Sequence, residues 1–190
     1  MKKRILSLLI LLSAATATMA YNSILAKLVK TDYEGKADSL TKVFIKEFMN
    51  TSKGTFWVTP KGVNSSNTYI YWQQAHAIDV VIYAYQRNLA AGNKTQANLY
   101  KNYISKWFQN KGNNYSGGST GFENPYTDDM CWIALTLQRM GEVFNNNTYF
   151  STAKKLFDNG IMSRAKEDEK GLWLPWNTDN GSGPNACTLS

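Results

Sequence analysis

The sequence has few residues that can bind a metal ion or act as a thiol, since its 190 residues include one histidine and two cysteines. No second ligand stands at zinc-site spacing from His76, which we interpret as a hydrogen-bonded wall residue. Cys131 lies in an apolar helical run, where a buried thiol is common, although an oxidising compartment permits a disulfide with Cys187. The sequence also lacks a glycine-rich phosphate loop and a serine nucleophile elbow, so the enzyme classes built on those motifs are excluded.

Charge is also sparse, with charged residues at 18% of the chain and a formal net charge of +7. Lys2, Lys3 and Arg4 supply part of this excess, and the chain beyond residue 20 retains about +4. Such a mild and dispersed charge does not predict a nucleic-acid partner.

A long apolar run occurs at the start of the chain and nowhere else. The three basic residues precede "ILSLLILLSAATATMA", which ends in small residues, so residues 1–20 are predicted to be a signal peptide cleaved after Ala17 or Ala20. No cysteine follows directly to accept a lipid, and no later segment approaches about 20 apolar residues. We therefore expect a secreted or periplasmic protein without a membrane anchor, with 21–190 as one domain.

Three later segments, 36–49, 94–109 and 148–164, have the apolar spacing of one-sided surface helices. Their apolar stripes, predicted to face inward, are Leu40, Val43, Phe44 and Phe48; Ala97, Tyr100, Ile104, Trp107 and Phe108; and Tyr149, Ala153, Leu156 and Phe157. Segments 69–90 and 127–144 are apolar nearly all round, so we expect other protein to enclose them. Alternating outer and inner helices predict an all-α fold, an α/α toroid whose inner helices run parallel.

Two neighbouring carboxylates, Asp128 and Asp129, stand in "NPYTDDMCWIALTL", where a turn becomes an inner helix. Acids in the first turn of a helix also complement its dipole, and a capping role is the simpler alternative. However, this helix is predicted to open toward a cavity, after a long glycine-rich loop of the kind that shapes a cleft. The sequence therefore indicates a candidate site at this end of the helix.

The other inner helix also has polar residues in its first turns, including Gln73, Gln74, His76 and Asp79. Tyr71 with Gln73 and Gln74 repeats the offset of Tyr126 with Asp128 and Asp129, so we expect the glutamines, Tyr126 and the aspartates to line one cleft. Trp176 and Asn177, before a third inner helix expected at "GPNACTLS", should approach the same rim. Aromatic loop residues suit sugar faces, although each is individually more typical of packing: Phe56, Trp57, Tyr115, Phe122, Trp173 and Trp176.

Paired carboxylates suit glycoside hydrolysis with retention, which needs two of them about 5 to 5.5 Å apart, one as nucleophile and one as acid and base. Repulsion between like charges raises the pKa of one member, while the helix N-terminus favours the ionised form of the other. The pair is therefore suited to two different roles.

Three stretches, "YWQQAHAIDVVIYAY", "YTDDMCWIALTL" and "LPWNTDNGSGPNACT", together resemble glycoside hydrolase family 76. The resemblance implies an (α/α)6 barrel, endo-acting hydrolysis of α-1,6-linked mannan with retention, Asp128 as nucleophile and Asp129 as general acid and base. The resemblance implies a polysaccharide as the partner. It implies neither a metal nor an organic cofactor.

The length departs from the family pattern, because a six-hairpin barrel needs about twice the helices predicted here. We expect the chain to correspond to the N-terminal half of such a barrel, truncated at its C-terminus and with an exposed apolar inner face. Two alternatives stay open: a non-catalytic glycan-binding or inactive fragment, and an α/α-toroid hydrolase or lyase for another polysaccharide.

Overall fold

The computed structural model describes residues 33–63, 71–114 and 118–177. Contacts divide the chain into two units, Met1–Leu40 and Thr41–Ser190. The described part of the first unit, 33–40, is helical, and Ser39 Oγ donates to the carbonyl of Gly35 at 2.9 Å. The predicted signal peptide, the predicted third inner helix, Tyr115 and Cys187 lie outside the described residues.

Helices dominate the described chain, as the sequence predicts. They are α1 (33–48), α2 (Tyr71–Ala90), α3 (Lys94–Gln109), the single turn α4 (Lys111–Asn114), α5 (Thr127–Phe144) and α6 (Asn147–Lys155). Two short antiparallel pairs, which the sequence analysis did not predict, are β1 (Met49–Asn50) with β2 (Thr55–Phe56) and β3 (Lys166–Asp168) with β4 (Gly171–Trp173). None of the described helices is long and apolar enough to cross a membrane.

The turn between α5 and α6 shows how local chemistry sets helix ends. Asn145 ends α5 in the left-handed conformation, at a φ of 47°, and its N–H donates to the carbonyls of the last turn. Asn tolerates this conformation better than most residues, which makes it a suitable helix terminator. Asn146 then caps α6, because its side chain accepts the N–H of Thr148 at 2.9 Å.

The predicted outer helix 148–164 is α-helical only as far as Lys155. A π-helical segment, Leu156–Ile161, and a 3-10 turn, Met162–Arg164, follow it. The predicted inward position of Phe157 is wrong: Leu156 and Ile161 are buried, whereas Phe157 is 47% exposed. The wider π turn shifts the helical phase, so a regular α period misplaces the side chains that follow.

The core forms where α2 packs on α3 and α5, and where α5 packs on α6. Its largest fully buried side chains are Trp107, Tyr100, Phe122, Ile78, Ile82, Ile104, Met130, Ile133, Leu137, Met140, Leu156 and Ile161. The predicted stripe of α3 is thus largely confirmed. That of α1 is partly wrong, because Leu40 and Val43 are exposed while Thr41, Ile45 and Met49 are buried.

Helices α2 and α5 run parallel, as predicted. The rings of His76 and Trp132 lie 4.7 Å apart, and those of Tyr85 and Phe144, further along both helices, lie 4.9 Å apart. Between them, Arg139 pairs with Asp79. The expectation that protein encloses these helices on every side is not met within the described residues, where exposed apolar side chains include Trp72, Val80, Tyr83, Trp132 and Leu135.

Because α2 and α5 are parallel, their N-terminal ends lie at one end of the bundle. Tyr71, the first residue of α2, donates its hydroxyl to the carbonyl of Phe122, five residues before α5. The polar residues that precede and begin α5 are therefore fixed against the start of α2.

Candidate active site

The start of α5 is fixed by the strand-like segment that follows β4. The N–H of Thr127 donates to the carbonyl of Trp176 at 2.9 Å, and its hydroxyl donates to the carbonyl of Pro175 at 2.7 Å. Thr127 is fully buried, so both bonds are shielded from water. Tyr126 forms an isolated antiparallel bridge with Asn177.

The same contacts bring two predicted aromatic site residues together. The ring centroids of Tyr126 and Trp176 lie 5.2 Å apart, and Trp176 remains 46% exposed. An exposed indole beside the start of a helix offers a surface on which a sugar ring can stack. Tyr126, Trp176 and Asn177 thus lie together at the start of the helix whose first turn contains Asp128 and Asp129.

Asn124 connects the preceding loop to the carboxylate of Asp129. It is 5% exposed; its side-chain oxygen accepts the N–H of Tyr126 at 2.9 Å, and its amide nitrogen donates to Asp129 Oδ2 at 3.1 Å. Both ends of the amide are used, which fixes its orientation.

The Asp129 carboxyl differs strongly from an ordinary surface acid. Burial, the dominant cause, together with the negative charge of Asp128, raises the pKa of Asp129 to about 6, while the hydrogen bond from Asn124 opposes the rise. A carboxyl with this pKa is partly protonated near neutral pH, as a general acid and base requires.

Asp128 sits beside it with a different environment. Its Oδ1 atom is buried and has no hydrogen-bond partner among the described residues. Buried polar oxygens nearly always have a partner, so an orphan of this kind points to a ligand or a reacting group. The two neighbouring carboxyls therefore differ in their hydrogen bonding, which suits them to different roles.

An arginine braces the loop that carries Asn124. Arg164 Nη2 donates to the carbonyl of Asn124 at 2.7 Å, and Nη1 donates to the carbonyl of Pro125 at 3.0 Å. Burial lowers the pKa of Arg164, and the charges of Glu123 and Tyr71 oppose that change. The guanidinium supplies donors in a rigid fork, a geometry that suits two adjacent carbonyls.

The contacts of the two predicted glutamines involve the chain around Phe56. Gln74 is fully buried, and its amide pairs with the backbone of Phe56, accepting its N–H at 3.1 Å and donating to its carbonyl at 2.9 Å. Gln73 and His76 line a groove with Phe44, Trp57 and other apolar residues, and the described lining of this groove does not include Tyr126, Asp128 or Asp129. A substrate contact by either glutamine stays a prediction.

The predicted aromatic residues divide into two groups. Phe56 and Phe122 are buried in the core, whereas Trp57 and Trp173 are half-buried and Trp176 is exposed.

Within the described residues, no cluster of three or more histidine, cysteine, aspartate or glutamate side chains is arranged to hold a metal ion.

Asn124 and Arg164 were missed by sequence reasoning. The Asn-Pro pair at 124–125 signals a turn before the helix, and that signal marks Asn124 as a structural residue. No local pattern marks Arg164, because its contact with the loop spans about 40 residues.

Comparison with protein-family models gives no match, and comparison with curated proteins gives none either. Among solved structures, α-1,6-mannanase GH76A from Salegentibacter sp. HEL1_6 matches 82% of this chain and 41% of its own, at 24% identity and a TM-score of 0.61. An inactive variant of that enzyme, with two consecutive aspartates changed to asparagine and α-1,6-mannotriose bound, matches with the same values. A protein of Listeria innocua matches 78% of this chain and 40% of its own, at 19% identity and a TM-score of 0.55.

These matches confirm the predicted resemblance as a likeness in fold to part of a family 76 mannanase. The chain spans about two fifths of the length of the proteins that it matches.

Proposed function

We propose that this chain is part of an exported glycoside hydrolase with an (α/α)6 toroid fold, and that it contains the half of the toroid with the two catalytic aspartates. The complete enzyme cleaves α-1,6-linked mannan internally with retention of configuration. The observation that carries the proposal is the pair Asp128 and Asp129, in which one carboxyl has its pKa raised to about 6 and the other has a buried oxygen without a described partner. The proposed activity is that of a complete toroid, because the matched mannanase is more than twice as long as the matching region.

The fold comparison supports the choice of reaction and substrate. In the matched mannanase an inactive variant has two consecutive aspartates replaced, and that variant binds α-1,6-mannotriose. The present sequence contains one Asp-Asp pair, at the start of an inner helix. Export is proposed from the basic and apolar residues of the first 20 positions.

In the first step, protonated Asp129 donates its proton to the glycosidic oxygen while a carboxylate oxygen of Asp128 attacks the anomeric carbon. The carbon–oxygen bond to the leaving sugar breaks, and a glycosyl ester forms on Asp128. In the second step, ionised Asp129 takes a proton from water, and the water oxygen displaces Asp128 from the anomeric carbon. Two inversions give net retention, and Asp129 ends protonated as it began.

Each role of the pair can be tested by replacement with asparagine in the complete toroid. Asp128→Asn should abolish cleavage of both mannan and an activated aryl mannoside, because an amide cannot form the glycosyl ester. Asp129→Asn should abolish mannan cleavage but retain turnover of the aryl mannoside, whose leaving group needs little protonation. Asp158→Asn, a surface acid paired with Lys154, serves as the control and should leave both activities unchanged.

Mannan cleavage at the unaltered rate in both active-site variants would contradict the proposal and favour the capping role. Binding of α-1,6-mannotriose without hydrolysis by the unaltered complete toroid would instead favour a non-catalytic glycan-binding protein.

A further inference from the structure

The neighbourhood of Asp129 contains a chain of contacts that begins at Arg164, in the 3-10 turn that follows the π-helical segment. From Arg164 the contacts run to the backbone of Asn124 and Pro125, and from the side chain of Asn124 to Asp129 Oδ2. We propose that Asn124 is a positioning residue that controls the protonation of Asp129, and that Arg164 holds Asn124 in the orientation this requires. The inference deepens the proposed function and rests on it for its catalytic meaning.

The orientation of the Asn124 amide follows from its two partners. Its oxygen accepts the N–H of Tyr126, so its NH₂ group is the end that faces Asp129. A flipped amide would set two donors against each other at Tyr126 and two oxygens against each other at Asp129. Because Asn124 is buried, water does not readily replace the donor that it supplies.

Arg164 lies at the end of the irregular segment that follows α6. Gly160, within the π-helical segment, packs so closely that an added Cβ would lie 3.0 Å from Met130 Sδ and 3.1 Å from Glu123 Cγ. This approach lets the following 3-10 turn aim Arg164 at the loop. In a regular α-helix each residue advances about 100°, so removing one residue of the π turn would direct the arginine elsewhere.

The Arg164 guanidinium contacts two backbone carbonyls of the loop before α5. The carbonyls of Asn124 and Pro125 are adjacent acceptors, and backbone acceptors away from water need donors. Arg164 supplies both, at 2.7 and 3.0 Å. Without these two hydrogen bonds, the loop backbone that orients the Asn124 side chain would be held less firmly.

Hydrogen bonding to the charged form of an acid favours that form. The donor from Asn124 therefore limits the rise in pKa that burial and Asp128 impose on Asp129. Charged and titratable groups near this loop include Tyr71 on α2, Lys111 over the ring of Phe122, and Glu123. Arg164 interacts with Glu123 and Tyr71, whereas the causes that act on Asp129 are burial, the hydrogen bond from Asn124 and the charge of Asp128. With Asn124 in place, Asp129 can give up its proton in the first step and be ionised to take a proton from water in the second.

The test is a pH titration of the Asp129 carboxyl carbon by NMR in the 190-residue chain, which needs no substrate. Asn124→Ser keeps a side-chain acceptor for Tyr126 but cannot reach Asp129, and it should raise the pKa of Asp129 by about one unit. Arg164→Lys keeps the positive charge but loses the fork, and it should raise the same pKa by about half a unit.

Two matched changes serve as controls. Asn146→Ser preserves the cap of α6, and Arg87→Lys alters an arginine whose guanidinium donates to Thr41. Both should leave the pKa of Asp129 within about 0.2 units of the unaltered chain. If Asn124→Ser does not fold, Asn124→Thr, which also retains an acceptor and has no donor long enough to reach Asp129, replaces it and should raise the pKa by about the same amount.

An unchanged pKa of Asp129 in the Asn124 variant overturns the proposal, and an unchanged pKa in Arg164→Lys overturns it as well, since the arginine would then not hold the amide. The outcome is separable from that of the proposed function. If the variants shift the pKa of Asp129 but the complete toroid does not hydrolyse mannan, the proposed function is refuted and the positioning roles of Asn124 and Arg164 stand. If the complete toroid hydrolyses mannan but the variants do not shift the pKa, only the positioning roles are refuted.

Discussion

Replacing Asp129 by asparagine is expected to stabilise the fold at neutral pH, although the same change removes the proposed proton donor. Burial and the charge of Asp128 raise the pKa of Asp129 from 3.8 to about 6. Between these values the folded state binds more protons at this site than the unfolded state, so stability falls as pH rises through the window. Asparagine does not ionise and retains an oxygen that can accept from Asn124.

The magnitude follows from the shift, reduced by two opposing effects. A shift of about two units corresponds to about 3 kcal/mol if the carboxyl were fully shielded from water. Asp129 is only half-buried, so solvent screening lowers the figure, and the helix N-terminus favours its negative charge by about 0.3 to 1 kcal/mol. We therefore expect Asp129→Asn to raise the free energy of unfolding by about 1 kcal/mol above pH 7, and by nothing below about pH 4.

Urea unfolding of the two proteins at pH 3.5 and pH 7.5 measures this difference directly. Asp158→Asn is the matched control, because its carboxylate is exposed and pairs with Lys154; it should destabilise by about 0.5 kcal/mol or less at pH 7.5. The reasoning is refuted if Asp129→Asn is less stable than the unaltered chain at pH 7.5, or if the gain is equally large at both pH values.

Two further substitutions test how the chain around the site is held. Gln74→Leu leaves both backbone groups of Phe56 without their buried partner and should lower the free energy of unfolding by about 2 to 4 kcal/mol; Gln73→Leu, half-buried on the same turn, should change it by less than about 0.5 kcal/mol in urea unfolding. Gly54→Ala should cost about 3 kcal/mol or more, because φ is 74° and the new Cβ would lie 2.5 Å from a carbonyl oxygen of α3. Gly92→Ala, with a φ of 76° and open space around it, should cost about 1 kcal/mol, and equal melting temperatures for the two alanine variants would contradict the steric argument.

The helices could be predicted because their apolar periodicity is local information. For α3 and α5 the predicted bounds agree with the observed Lys94–Gln109 and Thr127–Phe144. The position of Phe157 could not be predicted, because the π turn arises where Gly160 packs against Met130 and Glu123. Periodicity assumes a uniform helix, and tertiary packing overrides it at that point.

The candidate site also has features that the sequence predicts and features that only the folded structure shows. The adjacent carboxylates are visible in the sequence because both lie in one helix turn, and Trp176 and Asn177 do meet Tyr126. The expected placement of Gln74 reflected its offset within α2, whereas its amide is used by Phe56, which lies 18 residues earlier in the chain. The contact between Arg164 and the Asn124 loop is a tertiary one, and only the folded chain reveals it.

The central claim is that Asp128 forms a covalent bond to the substrate sugar. Incubating the complete toroid with a 2-fluoro-mannosyl fluoride, which slows the second step more than the first, should trap the glycosyl ester for peptide mass spectrometry. We expect one added fluoromannosyl group, attached to Asp128 and absent from Asp128→Asn. A mannan-cleaving enzyme that is labelled on another residue, or whose products have inverted configuration, would contradict it.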